Sequence, residues 1–362
     1  MKNISEIDKN FKNQQVIKGD MKIYDIEAEP FKIYGVFKPE NDSEFIRMPR
    51  EVAGKVSQGV RDLNNHTSGG RVRFKTDSRY IALKCHLPYI NLMPHMPLSG
   101  SSCFDIYADG EYVHTYMPDW DFMGKYFKEC SEDFSVAEFE GVVEFEDKKM
   151  RDIVINFPLY NAVEKVFLGV EESARIESGG EYRHKTPVVI YGSSITQGGC
   201  VSRPGNLYAN ILSRRYDFDF INLGFSGNAR GEDAIAEYIS KLDMSMFIYD
   251  YDHNAPNAEH LENTHYKMYK TIRNSNPDIP IIMASRPSLC GSKKDVEERI
   301  RIIEDTVKKA KTEGDNNVYF VNGMDMFYSH DSNMMTVDGC HPNDFGAFCM
   351  AEAFEKVIKN LL

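Results

Sequence analysis

Two groups of residues in this chain have the types and the spacing for nucleophilic chemistry. Ser194 follows the run Val188-Val189-Ile190-Tyr191-Gly192-Ser193. The four apolar residues of that run read as a short buried strand, which stops at a glycine and two serines. A hydroxyl at such a strand end has its backbone fixed by a sheet while the loop beyond opens toward substrate. The second group is Asp338-Gly339-Cys340-His341-Pro342. An Asp three residues before a His lets the carboxylate reach one imidazole nitrogen from the same turn. The other nitrogen is then left to take a proton from a serine. The same Asp-Gly turn can start the last helix, with Pro342 near its first position, and the two roles do not compete.

Elements able to position these groups follow from the alternation of patterns after residue 176. Strands are expected at 188–191, 218–223, 244–249, 279–284 and 318–321, separated by helices near 204–215, 232–241, 259–274 and 293–312, with a last helix over 344–361. In the fourth helix Val296, Ile300, Ile303, Val307 and Ala310 fall on one stripe and Gly314 supplies a cap. Five strands alternating with helices imply a parallel sheet covered on both faces, a flavodoxin-like three-layer α/β/α domain whose ligands sit beyond the carboxyl ends of the strands. Two further stretches end strands in the same way: Gly224-Phe225-Ser226-Gly227-Asn228 and Asp250-Tyr251-Asp252-His253-Asn254.

The first half reads differently. Residues 31–37, 71–75 and 80–87 alternate apolar and polar positions, and 104–108 and 112–116 flank Asp109-Gly110, a strong hairpin signal. A second hairpin is expected between 142–145 and 153–157 through Glu146-Asp147-Lys148-Lys149. Many short strands at this spacing imply an all-β, jelly-roll-like sandwich. The expected organisation is a sandwich over 1–176, a linker over 177–187 around Ser178-Gly179-Gly180, and the α/β domain over 188–362.

Composition limits the partners. A length of 362 residues favours two domains, and 42% hydrophobic with 27% charged residues is ordinary for a soluble globular protein. A net charge of −12 with no basic block argues against nucleic acid, whose binding rests on cationic side chains neutralising phosphates. No apolar run has the length of a signal peptide or membrane span, so a cytoplasmic location and no membrane partner are expected. Seven scattered cysteines, with no Cys-x-x-Cys pair, fit reduced thiols.

Taken together, Gly192-Ser193-Ser194-Ile195-Thr196, Gly227, Asn254, and Asp338 with His341 resemble the four ordered blocks of the SGNH, or GDSL-like, hydrolase superfamily across residues 188 to 342. The stretches Gly198-Gly199-Cys200, Ser202-Arg203-Pro204-Gly205 and Phe104-Asp105-Ile106-Tyr107 look like a bacterial branch with an added N-terminal β domain, similar in architecture to carbohydrate acetylesterases. The sequence departs from the pattern at three positions. Ser193 replaces the usual Asp, and Asp252 and Ala255 stand where the third block usually has Gly and Asp. Thr196 also breaks the Gly-x-Ser-x-Gly elbow of standard α/β-hydrolases.

The resemblance implies a serine esterase. Ser194 is the nucleophile, His341 the general base and Asp338 its orienting carboxylate. The oxyanion meets the Ser194 and Gly227 N–H groups and the Asn254 amide. This chemistry requires no cofactor and no metal, and the spacing of His253, His260 and His265 is not that of a helical zinc motif. The expected substrate is an O-acyl, above all O-acetyl, ester of a sugar or oligosaccharide. A lysophospholipase or thioesterase and a non-catalytic carbohydrate-binding protein are the alternatives, and homo-oligomerisation is left open. Trp120, the only tryptophan, lies in an aromatic-rich loop and is either a sugar platform walling the cleft above Ser194 or, as a lone tryptophan more often is, a residue of the sandwich core. Arg286 is a candidate substrate contact that ranks below a structural salt bridge.

Overall fold

The computed structural model describes residues 20–119, 122–124, 137–287, 290–327 and 332–362. Ten strands build two antiparallel sheets: β1 (Met21–Asp25), β2 (Lys32–Tyr34), β3 (Arg71–Thr76), β4 (Tyr80–Leu87), β5 (Phe104–Ala108), β6 (Glu111–Tyr116), β7 (Ala137–Glu144), β8 (Arg151–Asn156), β9 (Lys165–Glu171) and β10 (Ile176–Ser178). One sheet runs β1-β9-β4-β7 and the other β10-β3-β8-β5-β6, with β2 also on β3. Their inner faces meet in one core, to which β4 contributes Ile81, Leu83, Cys85 and Leu87, the four residues its alternation puts on one side. Asp109 (φ 52°) and Gly110 (φ 86°) close the β5–β6 hairpin, both in the left-handed region that the Asp-Gly pair tolerates.

The second expected hairpin does not form. β7 pairs with β4 along its whole length, from Ala137↔Leu87 to Glu144↔Tyr80, whereas β8 lies between β3 and β5 in the other sheet. The connection over 145–150 therefore crosses between sheets, because each strand finds a longer complementary partner there than the adjacent strand offers.

β11 (His184–Gly192), β12 (Phe218–Gly224), β13 (Met246–Asp250), β14 (Ile281–Ala284) and β15 (Val318–Val321) form a parallel sheet in the order β12-β11-β13-β14-β15. β11 starts earlier than its apolar run because His184 pairs with Phe218. Alternation along the strands divides the domain into layers. Val188, Ile190, Ile248 and Ile282 face a core shared with helices Tyr208–Tyr216 and Asp344–Ile358. Val189, Tyr191, Phe247, Tyr249 and Met283 face one shared with Asp233–Ile239, Ala258–Ser275 and Lys293–Thr312. Two short helices inside the first half, Arg50–Val56 and Gln58–Leu63, were not legible as helices, and their Ala53 and Val60 join this second core.

The two halves share buried polar contacts as well. Asp105 of β5, fully buried, accepts from Gly205 N–H (2.7 Å), Asn156 Nδ2 (2.8 Å) and Arg203 (3.2 Å). Next to it the Tyr107 hydroxyl bonds Arg203, and its ring lies 4.3 Å under the Arg214 guanidinium. The Phe104-Asp105-Ile106-Tyr107 stretch thus fastens the sandwich to the loop before the Tyr208–Tyr216 helix.

Strand order also fixes where a ligand can reach. β12 lies on one side of β11 and β13 on the other, so the chain leaves β11 in one direction and later returns on the opposite side. Such a reversal opens a crevice at the carboxyl end of the strand where it occurs. Ser194 stands two residues past that end.

Candidate active site

Ser194 opens the short helix Ser194–Gln197, and the Ser193 hydroxyl caps it by accepting from the Ile195 N–H at 3.2 Å. Ser and Asp are comparable N-caps, which explains why serine can stand at 193 in place of the usual acid. Residue 192 must be glycine for a steric reason: a Cβ there would lie 1.7 Å from Asp250 Oδ1 and 2.1 Å from Thr196 Oγ1. Those two atoms are themselves bonded, Thr196 donating to a carboxyl that burial pushes up to about 7. The Ser194 carbonyl accepts from Gly198 N–H (3.0 Å), Gly199 N–H (2.9 Å) and the Tyr160 hydroxyl (2.8 Å). With its peptide held from three directions, Ser194 is 9% exposed, more enclosed than an open loop would leave it.

His341 comes from the turn before the last helix, whose N-cap is Asn343 and not Pro342. Its Nε2 is 2.9 Å from Ser194 Oγ, and its Nδ1 is 2.7 Å from Asp338 Oδ2. Asp338 Oδ1 accepts from the backbone N–H groups of His341 (2.8 Å) and Cys340 (3.0 Å). Burial alone would raise this carboxyl, but the hydrogen bonds from the His341 backbone and ring and from Cys340 outweigh it and bring it down to about 2. An ionised carboxylate facing Nδ1 fixes the imidazole proton there, so Nε2 presents its lone pair to the Ser194 hydroxyl.

The remaining strand-end loops tie into this arrangement. Phe225 N–H bonds the Gly192 carbonyl (2.9 Å), Ser226 N–H bonds Gln197 Oε1 (2.9 Å), and Asn222 Nδ2 bonds the Thr196 carbonyl (2.7 Å). Asn254 ends the single turn Tyr251–His253 and donates from Nδ2 to the Phe225 carbonyl at 2.9 Å. An amide nitrogen carries two hydrogens, so one remains to give. Gly227 has φ 68°, a conformation that favours glycine, with open space on its Cα side.

Arg286 is 6% exposed and turned inward: it pairs with Asp252 (3.2 Å) and donates to the carbonyls of Asp252 (3.0 Å) and Cys290 (3.1 Å). It braces the loop that carries Asn254, the salt bridge ranked above substrate contact. Asp252, at the position usually held by glycine, is the buried partner of that bridge. Trp120 lies outside the described residues. His265 is buried between Tyr249, Tyr251 and the Thr306 hydroxyl, and His260 bonds the Arg230 carbonyl, so the three histidines do not converge.

Residues from the first half that touch the site were not legible in the sequence. Ser68 donates to the Gln197 carbonyl (2.5 Å), His66 Nδ1 faces Gln197 Nε2 (3.1 Å), and buried Arg47 donates to the carbonyls of Asn222 (3.3 Å) and Gly224 (2.5 Å). The exposed His95 ring lies 5.3 Å from the His341 ring. Among the described residues, one group of side chains could hold a metal ion, His95, Cys200 and His341. A cavity of about 210 Å³ opens beside Gly339 of the Asp338 turn, its lining including Met324, Phe327, Ser332, Asn333 and Thr336.

A five-stranded parallel sheet carrying this cluster at its carboxyl edge, with an antiparallel β unit in front, defines a hydrolase of the flavodoxin-like, three-layer α/β/α class with an added N-terminal β region. Residues 185–359 match the GDSL-like lipase/acylhydrolase family, and residues 21–176 match the family described as the N-terminus of SGNH hydrolase-type esterases. The chain belongs to the SGNH, or GDSL-like, hydrolases. It is similar to a GDSL-like lipase of Bacteroides ovatus (25% identity, 94% of this chain and 98% of that one, TM-score 0.80). It shares its fold with the salicylyl-acyltransferase SsfX3 of a tetracycline biosynthetic pathway (17%, 95% and 98%, TM-score 0.75). The acetyl xylan esterase Est2A of the rumen bacterium Butyrivibrio proteoclasticus has the same fold (11%, 94% and 98%, TM-score 0.58). No curated protein matches the sequence.

Proposed function

We propose that this protein is a serine esterase that removes O-acyl groups, chiefly O-acetyl, from sugars or oligosaccharides. The observation that carries the reading is the continuous contact from Ser194 Oγ through both nitrogens of His341 to Asp338, at 2.9 and 2.7 Å. In this reading Ser194 attacks the ester carbonyl as its proton passes to His341 Nε2. The tetrahedral oxyanion meets the N–H groups of Ser194 and Gly227 and the second amide hydrogen of Asn254. The imidazolium, stabilised by Asp338, then protonates the leaving alcohol, and water reverses the sequence on the acyl-enzyme.

The fold shared with an acetyl xylan esterase supports a sugar ester. Six free cysteines among the described residues and a net charge of −12 support a reducing, cytoplasmic setting without a nucleic-acid partner. No described helix is long and apolar enough to cross a membrane.

The deciding experiment is a substrate panel: p-nitrophenyl acetate, butyrate and longer esters beside acetylated oligosaccharides. Acetyl esters are expected to be preferred and acetate to be released from the oligosaccharides. A preference for long acyl chains would move the protein to the lysophospholipase or thioesterase reading, and no turnover of any ester would refute the reaction.

Asn254→Ala tests the oxyanion assignment. Because that hydrogen bond strengthens in the transition state, kcat is expected to fall by roughly a hundredfold with a smaller change in KM. A change confined to KM would make Asn254 a ground-state contact instead.

A further inference from the structure

The imidazole of His341 and two side chains beside it, neither of which the esterase chemistry uses, form a possible metal-donor set. His95 comes from the segment between β4 and β5 of the sandwich, Cys200 from just after the Ser194–Gln197 helix, and His341 from the last turn. One donor atom of each lies within 4.8 Å of the others. Cys200 is 2% exposed, and its N–H bonds the Pro342 carbonyl at 2.7 Å, which holds its backbone against the His341 turn. His95 is exposed, with its ring 5.3 Å from that of His341. Two imidazoles and a thiol, with no carboxylate among them, are ligands for zinc and its relatives and not for magnesium or calcium.

We propose that His95, Cys200 and His341 bind a zinc-class divalent cation, and that this cation switches the hydrolase off by occupying His341 Nε2. Asp338 already engages Nδ1 at 2.7 Å, so Nε2 is the nitrogen left to coordinate, and the carboxylate–imidazole contact becomes the support that metal-bound histidines usually have. Tetrahedral bonds of about 2.1 Å to nitrogen and 2.3 Å to sulfur place donors roughly 3.5 Å apart. Donors up to 4.8 Å apart must therefore draw together by up to about 1.3 Å, and the exposed His95 is the least enclosed of the three. Both imidazoles give lone pairs, the Cys200 thiol becomes a thiolate, and its proton leaves to solvent, with no change in oxidation state. Water or the Ser194 hydroxyl fills the fourth position. While the ion is bound, Nε2 cannot take the Ser194 proton.

Inhibition rests on the esterase reading, but binding does not, so the test reads the two separately. The full chain is titrated with Co²⁺, whose thiolate charge-transfer band in the near ultraviolet reports a Co–S bond without any turnover. The band is expected in the wild type, absent in Cys200→Ala, retained in Cys340→Ala and shifted to at least about tenfold higher Co²⁺ in His95→Ala. In parallel, buffered Zn²⁺ should suppress aryl acetate hydrolysis, a chelator should restore it, and Mg²⁺ and Ca²⁺ should have no effect. His95→Ala, an exposed substitution that leaves the core alone, should need at least about tenfold more Zn²⁺ for the same loss. No thiolate band in the wild type, or a band that follows Cys340 instead of Cys200, overturns the site. Wild-type binding with Zn²⁺-insensitive hydrolysis overturns the switch. Binding intact in a protein that hydrolyses no ester would count against the esterase reading alone.

Discussion

Replacing Ser194 with alanine is expected to lower kcat for ester hydrolysis by about four orders of magnitude or more while the protein stays folded. The size follows from the role proposed for Ser194: without its hydroxyl, only the proposed oxyanion donors and substrate positioning remain to assist direct attack by water. The fold should survive because the hydroxyl's partner is the imidazole of His341, which has solvent access and can bond water, while the Ser194 carbonyl keeps all three of its donors, Gly198, Gly199 and Tyr160. The measurement is a pre-steady-state and steady-state comparison on p-nitrophenyl acetate, with circular dichroism and a melting curve as the folding check. Ser193→Ala is the informative neighbour. It removes a helix cap accepting from Ile195, so it should cost about 1 kcal/mol of stability and leave substantial turnover. If Ser194→Ala turned over near the wild-type rate, or if Ser193→Ala were the dead variant, the nucleophile would be misassigned.

Much of this site could be read from the sequence because its parts lie at strand ends, and strand ends are marked by composition. Val188 to Tyr191 followed by Gly192 is such a mark, and the expected strand at 318–321 coincides with β15. The Lys293–Thr312 helix is likewise bounded as read, since Ser292 caps its start and Gly314 at φ 96° ends it. Asp338 and His341 were legible because a contact between residues three apart needs only one turn of chain. The contributions of Arg47, Ser68, His66 and Tyr160 were not. Arg47, Ser68 and His66 reach the Ser194 loop or its neighbour from 129 to 175 residues away, and Tyr160 from 34, each through one hydrogen bond or a few. No local periodicity records such a contact. The crossing of the 145–150 connection between sheets was hidden for the same reason: pairing choice depends on which distant strand offers the longer register, and turn composition does not report it. The helices over residues 50–63 are not legible because they are short, seven and six residues, and depend on packing of Ala53 and Val60 into the second core of the α/β domain more than on their own pattern.

Asp338→Asn should lower kcat by about 10³- to 10⁴-fold with little change in KM, although it alters one atom. The hydrogen bonds around Asp338 determine how the new amide must sit. Oδ1 accepts from two backbone N–H groups, His341 at 2.8 Å and Cys340 at 3.0 Å, and an NH2 group cannot accept either. The asparagine oxygen therefore keeps that place and its nitrogen turns to His341 Nδ1. A donor facing Nδ1 moves the imidazole proton to Nε2, where it confronts the Ser194 hydroxyl as a donor and can no longer take its proton. The loop geometry survives while the tautomer is wrong, so the loss falls on kcat. Because the native carboxyl sits at about 2, it is ionised at any working pH, and the defect should be equally deep from about pH 6 to 9. The same depression links Asp338 to stability. Its folded pKa lies below the ordinary aspartate value near 3.9, so its contribution is present above about pH 4 and lost as pH falls toward 2. That contribution is small, since the side chain is partly exposed. The melting-temperature gap between wild type and Asp338→Asn should therefore be modest at neutral pH and narrow below about pH 4. A variant whose kcat stayed within tenfold of the wild type would mean that His341 is oriented by something other than Asp338, and the relay from Ser194 would need a different third member.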